Sequence, residues 1–415
     1  MSTARPKIHR FTDLKRLVTR LRDDLNGGNQ DFVLLYAYNG TGKTRLSMDF
    51  KNAGKHSVKK RYPFGDVPLS IDDGEHAVDV IEGDTLYFNA FTEDLFSWDN
   101  DLEKDSERRL YINAESKFFK GLKDLALDER IGFYLARYAD FLFDIDYDQW
   151  TVSFRKGDAQ HIKVSRGEEN IFIWCIFLAI CERVIDGAES YEWVKYIYID
   201  DPITSLDDNN AIAVASDLAK LLRKAKGRLK NVVTGTEFSE GKEAVVIQQV
   251  ADPIKAVVSS HHALFFNVVC NELKIDKHKK YFLHRPDRGT AYTLRATDET
   301  PFFHHVAMLA ELQKAADSDK LFTFHFNILR SILEKTATFF GRDDFSACIH
   351  GLEDSELFAR ALNLLSHGKY DIYQPMEMVD DNKKLFRQIL DAFLGRYEFS
   401  LPEIFGKPVK NGVTA

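Results

Sequence analysis

The sequence predicts an α/β domain built on a largely parallel sheet, followed by a smaller, all-helical C-terminal domain. Three observations carry this. Short apolar runs of strand type occur at 32–36, 85–88, 196–199 and 255–259. Stretches of helical character lie between them, the alternation that builds a parallel sheet. After about residue 272 the strand-type runs give way to helical patterning at 304–316, 320–340, 355–366 and 379–397.

Taken in order, residues 12–25 place Leu14, Leu17, Val18 and Leu21 on one face of an amphipathic helix. The strand at 32–36 runs straight into a glycine-containing turn. Residues 51–84 are polar and read as a surface excursion, 101–145 as mostly helical, and 150–155 as extended. The 168–184 stretch is apolar on most faces and predicts a buried helix. Its unbroken apolar run, 171–181, falls well short of the ~20 residues that span a bilayer. The start, MSTARPKIHRF, lacks the apolar core of a signal peptide. The expectation is a cytoplasmic chain without membrane attachment. Domain boundaries are expected at 1–272, a basic connector at 273–300, and a helical domain at 301–415.

With 415 residues and 44% hydrophobic content, the chain can bury a real core, which excludes a disordered chain as the main state. Four scattered cysteines (Cys175, Cys181, Cys270, Cys348) form no CxxC pair and read as reduced thiols. A net charge of -8 argues against a globally basic nucleic-acid binder. It leaves room for a local basic groove. The cation-rich stretch 274–295, interleaved with Tyr281, Phe282 and Tyr292, fits an RNA strand guide and equally a solvated basic hairpin.

Between the first strand and its helix lies Ala37-Tyr-Asn-Gly-Thr-Gly-Lys-Thr44. Gly40 and Gly42 let the backbone curl so that its N–H groups face phosphates, Lys43 reaches phosphate oxygens, and Thr44 offers a hydroxyl to Mg²⁺. Asn39, Gly40, Thr41, Gly42, Lys43, Thr44 and Arg45 are therefore candidate ATP-binding residues. The first glycine of the usual pattern is Ala37 here. The strand at 196–199 ends in Asp200 and Asp201, an acidic pair suited to holding Mg²⁺ (Asp200) and polarising an attacking water (Asp201). Ser165 and Gly167 precede the apolar helix, where they offer an anion site, an ordinary N-cap, or both.

These motifs, with Ser205-Leu206-Asp207 and Ser259-Ser260-His261, occur in the order seen in ABC-type P-loop ATPases, and most resemble the SMC-like branch. The resemblance implies an ABC-type ATPase domain whose Ser165/Gly167 signature closes over the nucleotide of a second subunit. That means a head-to-tail homodimer, or a higher oligomer, with ATP sandwiched at its seam. His261 takes the part of the switch histidine, and Asn89, at the end of the 85–88 strand, that of the family's Gln-loop residue, near Mg²⁺. Asp201 stands where the family has Glu, which implies slow hydrolysis. No long coiled coil separates the motifs, so DNA tethering is not expected.

In the helical domain, Arg330 and Glu334 share a helix face, and His367 follows in Asn363-Leu-Leu-Ser-His367-Gly368. Arg, Glu and His are what metal-free RNA cleavage needs: a base, an acid and a cation for the phosphorane. The same Arg/Glu spacing also makes ordinary surface ion pairs. An ATPase of this length with Arg-x-x-x-Glu and a later His resembles the PrrC-type anticodon nucleases. That resemblance implies that Arg330, Glu334 and His367 cut a tRNA anticodon loop, in an ATP-gated toxin of antiviral defence. Arg360, separated from His367 by six residues, also fits the spacing of HEPN-type ribonucleases. A regulatory or inhibitory defence protein is a further expected partner. The alternative is an ATPase sensor subunit that controls a separate effector nuclease.

Overall fold

The structure, a computed structural model, describes residues 8–61, 77–89, 96–98, 109–114, 119, 127–202, 207–239, 242–285, 291–297, 303–342, 344–349, 376–397 and 399. It divides into two compact units, Arg10–Asp298 and Glu299–Ala415, the latter also taking in Met1–His9.

The first elements are β1 (Ile8–Phe11), α1 (Leu14–Asn26), β2 (Phe32–Tyr36), α2 (Lys43–Ala53), β3 (His56–Arg61), β4 (Ala77–Glu82) and β5 (Thr85–Asn89). Next come β6 (Phe96–Trp98), β7 (Leu110–Ile112), α3 (Asp128–Leu135), β8 (Leu142–Asp146), β9 (Thr151–Arg155) and α4 (Arg166–Ile185). Then follow β10 (Tyr196–Asp200), α5 (Asp208–Lys226), β11 (Leu229–Ser239), β12 (Lys242–Ala251), β13 (Lys255–Ser260), α6 (Ala263–Glu272), β14 (His278–His284) and β15 (Tyr292–Ala296).

A seven-stranded sheet in the order β1-β15-β14-β2-β13-β10-β5 forms the centre. The five strands from β14 to β5 run parallel, and β15 turns back antiparallel on β14. Because side chains alternate, each strand feeds two cores. Val33, Leu35, Tyr198 and Val257 pack with Leu17 and Leu21 of α1 and Leu46 and Phe50 of α2. On the opposite face Tyr36 meets Phe266 of α6, and Phe88 meets Trp174 and Phe177 of α4. The α4 stretch from Ile171 to Cys181 is wholly buried, as expected of a helix apolar all round. Burial pushes the Cys175 and Cys181 thiols well up, so both are inert apolar filler.

Three expectations are corrected. Part of the polar excursion at 51–84 is an antiparallel strand pair, β3 with β4. The 101–145 stretch is only partly helical: β7 and β8 join β6 and β9 in a four-stranded antiparallel sheet, order β6-β7-β9-β8. The basic stretch is no connector, since β14 and β15 belong to the central sheet and the first unit extends to Asp298. Tyr281, Phe282 and Tyr292 are buried and not available to stack on RNA bases. The Tyr281 hydroxyl donates to Asp24 instead, at 2.8 Å. A two-stranded ribbon, β11 with β12, also stands between α5 and β13, where the sequence reading placed no element.

The second unit holds α7 (Phe303–Asp317), α8 (Phe324–Phe339) and α9 (Asp380–Arg396). Their core joins Leu309, Leu312, Leu329, Ile332, Leu333, Phe386, Ile389 and Phe393. Burying each large apolar side chain contributes roughly 1.5–3 kcal/mol. Arg360, His367, the 355–366 segment and residues 203–206 (with Ser205 and Leu206) lie outside the described residues.

Candidate functional site

Parallel strands gather their C-terminal ends along one sheet edge, the usual place for ligands in such sheets. Here β2 delivers the glycine loop, β10 delivers Asp200 and β13 leads into His261. The register sets Asp200 between Ser259 of β13 and Asn89 of β5. Thus Asn89 stands beside Asp200 in the sheet.

The loop between β2 and α2 needs its glycines. Gly40 and Gly42 have φ of +77° and +104°, values that side-chain-bearing residues adopt only with strain. Ala37 N–H donates to the Ser260 carbonyl at 3.1 Å, which pins the loop to β13. Asn39, Gly40 and Thr41 complete the turn, while Lys43, Thr44 and Arg45 open α2. The α2 N-terminus therefore points its free N–H groups into the loop. Lys43 Nζ lies 3.0 Å from Asp201 Oδ2 and donates to the carbonyls of Ala37 and Tyr38, both at 3.2 Å.

The two aspartates differ. Asp200 is fully buried. Its Oδ1 accepts from Ser259 Oγ at 2.7 Å and its Oδ2 from Ser47 Oγ at 3.3 Å. Burial raises its pKa above the ordinary value, against opposing hydrogen bonds from Ser259 and Thr44. Asp201 has a positive φ of 48°, an unusual backbone for a non-glycine residue. Its Oδ1 accepts from the His261 backbone N–H at 2.8 Å and lies 2.7 Å from His261 Nδ1. Burial pushes its pKa up, but the His261 hydrogen bonds and the Lys43 charge outweigh that and hold it below the ordinary range. Asp201 is thus an ionised carboxylate fixed between a cation and an imidazole.

These donors suit a nucleoside triphosphate with its metal: N–H groups and Lys43 for phosphates, and the Thr44–Asp200 pair with Asn89 for Mg²⁺. Among the described residues no group of three or more His, Cys, Asp or Glu is arranged to hold a metal ion by itself. Ser47, on the inward face of α2, was not singled out by sequence reading. Its only signal is that it follows Thr44 by three residues on the helix. Tyr292 was singled out for RNA, yet its hydroxyl lies 3.5 Å from where a side chain on Gly42 would begin.

Ser165 caps α4. Its Oγ accepts from Glu168 N–H at 3.3 Å while Glu168 returns a bond to the Ser165 N–H at 2.8 Å. Gly167 lies in the first turn of the same helix. Asp207 caps α5 in the same manner, accepting from Asn210 N–H at 2.9 Å.

In the helical unit, Arg330 Nε donates to Glu334 Oε1 at 2.7 Å across one turn of α8. The pair lines a cleft of about 340 Å³ together with Thr338, Arg342, Asp344 and Phe345. The Arg330 guanidinium lies over the Phe345 ring at 5.7 Å. Arg342 and Asp344 carried no sequence signal of their own.

Residues 129–391 match a family described as an AAA domain, a stretch that runs from α3 into α9. The chain is also 33% identical over 381 residues to an anticodon nuclease of Escherichia coli, covering 86% of this chain and 87% of that protein. This chain belongs to the anticodon nuclease family. As in an AAA-type ATPase domain, its glycine loop, Asp200 and Asp201 meet at the parallel edge of an α/β sheet. Arg330 and Glu334 lie on one helix face within the aligned family. Among the described residues no helix is long and apolar enough to cross a membrane.

Proposed function

We propose that this protein is an ATP-gated ribonuclease that cuts a tRNA in its anticodon loop, a toxin of antiviral defence acting in the cytoplasm. The observation that carries the reading is the Arg330–Glu334 pair in its own cleft, in a chain of the anticodon nuclease family. Arg330 binds the scissile phosphate and stabilises the extra charge of the phosphorane. Glu334 and His367 divide the proton work. One takes the ribose 2′-OH proton as O2′ attacks phosphorus, and the other protonates the departing 5′-oxygen. The products are a 2′,3′-cyclic phosphate and a 5′-OH end.

In the head, Lys43 and the loop N–H groups bind the triphosphate of ATP. Thr44, Asp200 and Asn89 would hold Mg²⁺, which would supply charge neutralisation on the phosphates. Asp201, oriented by His261, receives a proton from the attacking water. Ser165 and Gly167 of a second subunit complete the site, so the chain works as a head-to-tail homodimer or higher oligomer. A regulatory or inhibitory defence protein holds it silent until needed. Purified protein incubated with total tRNA and ATP tests the reading: fragments ending in cyclic phosphate support it, and intact tRNA under every nucleotide condition overturns it.

A further inference from the structure

The helix that carries Arg330 and Glu334 ends in a feature that cleavage itself does not use. Phe339 is 84% exposed and Phe340 52% exposed, where a soluble domain would ordinarily hide two adjacent phenyl rings. They meet edge to face at 5.4 Å. Phe340 also stacks on Tyr397 beyond α9, with ring centroids at 5.4 Å and planes 17° apart. Tyr397 in turn contacts Phe393 at 5.3 Å, inside the core. The outer rings are thus the tip of an aromatic ladder anchored in the unit.

The backbone beneath them is locked. Gly341 takes φ +65°, its N–H donates to Thr338, and Arg342 N–H donates to Ala337 at 2.9 Å. This is the Schellman arrangement that closes a helix C-terminus, and it fixes Arg342 at the cleft that holds Arg330. Arg396 lies over the far ring, 6.0 Å from the Tyr397 centroid. Asp344 is committed to capping the next turn, accepting from Ser346 N–H and Oγ. Exposed rings flanked by cations are the chemistry of unpaired nucleic acid, in which rings stack bases and cations follow phosphates.

We propose that Phe339, buttressed by Phe340 and Tyr397, stacks an unpaired RNA base next to the nucleotide held by Arg330, with Arg342 on the adjoining phosphate. The inference rests on the ribonuclease reading and assigns the loop-binding half of that site. A rigid platform beside the cleft confines cutting to RNA whose bases are already splayed out, which excludes duplex.

The test uses full-length protein and a short RNA hairpin with 2-aminopurine in its loop, 2′-O-methylated there so that it cannot be cut. The wild type and Phe339→Tyr quench the fluorophore on binding. Phe339→Ala abolishes the quenching and weakens binding about 5- to 100-fold, and Arg342→Ala weakens it with quenching retained. Quenching and affinity unchanged in Phe339→Ala overturn the proposal. So does a Phe339→Ala protein that only loses self-association, because the rings then pack on a second copy. Cleavage of the unmethylated hairpin, run in parallel, separates the two readings. Wild type that cuts, with Phe339→Ala binding normally, removes the platform and leaves the nuclease. Phe339-dependent quenching without any cleavage does the reverse.

Discussion

His261 meets Asp201 twice, through its backbone N–H at 2.8 Å and its ring Nδ1 at 2.7 Å, both on the same carboxylate oxygen. The other oxygen of Asp201 lies 3.0 Å from Lys43. One short side chain therefore ties the glycine loop, the end of β10 and the residue after β13 into a single charged cluster.

Asp201→Asn breaks that cluster without changing its shape. Nucleotide hydrolysis should fall about 100-fold or more, as for loss of a general base. Nucleotide affinity should hold or tighten, since Lys43 loses a competing carboxylate. Without nucleotide the variant should lose about 3 kcal/mol of stability from the broken buried pair. Steady-state hydrolysis, equilibrium binding and chemical denaturation check the three parts.

Asp200 behaves oppositely. Its raised pKa means that the folded state holds the proton more tightly than the unfolded chain does. Stability from this group is therefore present at acid pH and lost as pH rises through the folded pKa. Asp200→Asn should raise the melting temperature at neutral pH by about 2–4 °C while abolishing Mg²⁺-dependent hydrolysis. A thermal melt with and without Mg²⁺-ATP reads both.

His325 is buried in α8, where burial lowers its pKa to about 4. The unfolded chain takes up the proton first, so stability is complete above pH 6.5 and falls as pH drops from 6.5 toward 4. The full effect is about 3 kcal/mol. His325→Gln should flatten this acid limb in a melting-temperature profile against pH.

Glu334→Gln separates chemistry from structure. An exposed pair across one helical turn is worth at most about 0.5 kcal/mol, so the melting temperature should hardly move. RNA cleavage should drop about 100- to 10,000-fold if Glu334 transfers a proton. Single-turnover cleavage of a defined tRNA measures it.

The nucleotide site was legible because its chemistry demands fixed residue types at fixed spacing. Gly40, Gly42, Lys43 and Thr44 are contiguous, and Asp200 with Asp201 closes a plainly β-type run. The arrangement of His261 on Asp201 was not legible, since it arises from strand order. In β14, Lys279 and Lys280 stand directly before the buried Tyr281 and Phe282. In sequence that looks like an RNA surface. The strands within 101–145 were hidden for a similar reason: Leu142 is 54% exposed in β8, and charged, half-exposed strands lack a clean apolar period. Arg342 entered the cleft through a turn that only Gly341 hints at.

The central claim is that nucleotide in the head arms RNA cleavage by the helical unit. Sequencing of RNA 5′ ends from cells expressing wild type, Lys43→Ala and His367→Ala tests it most directly. One specific cut in a tRNA anticodon loop is expected in wild type and lost in both variants. The same cut persisting at full yield in either variant would contradict it.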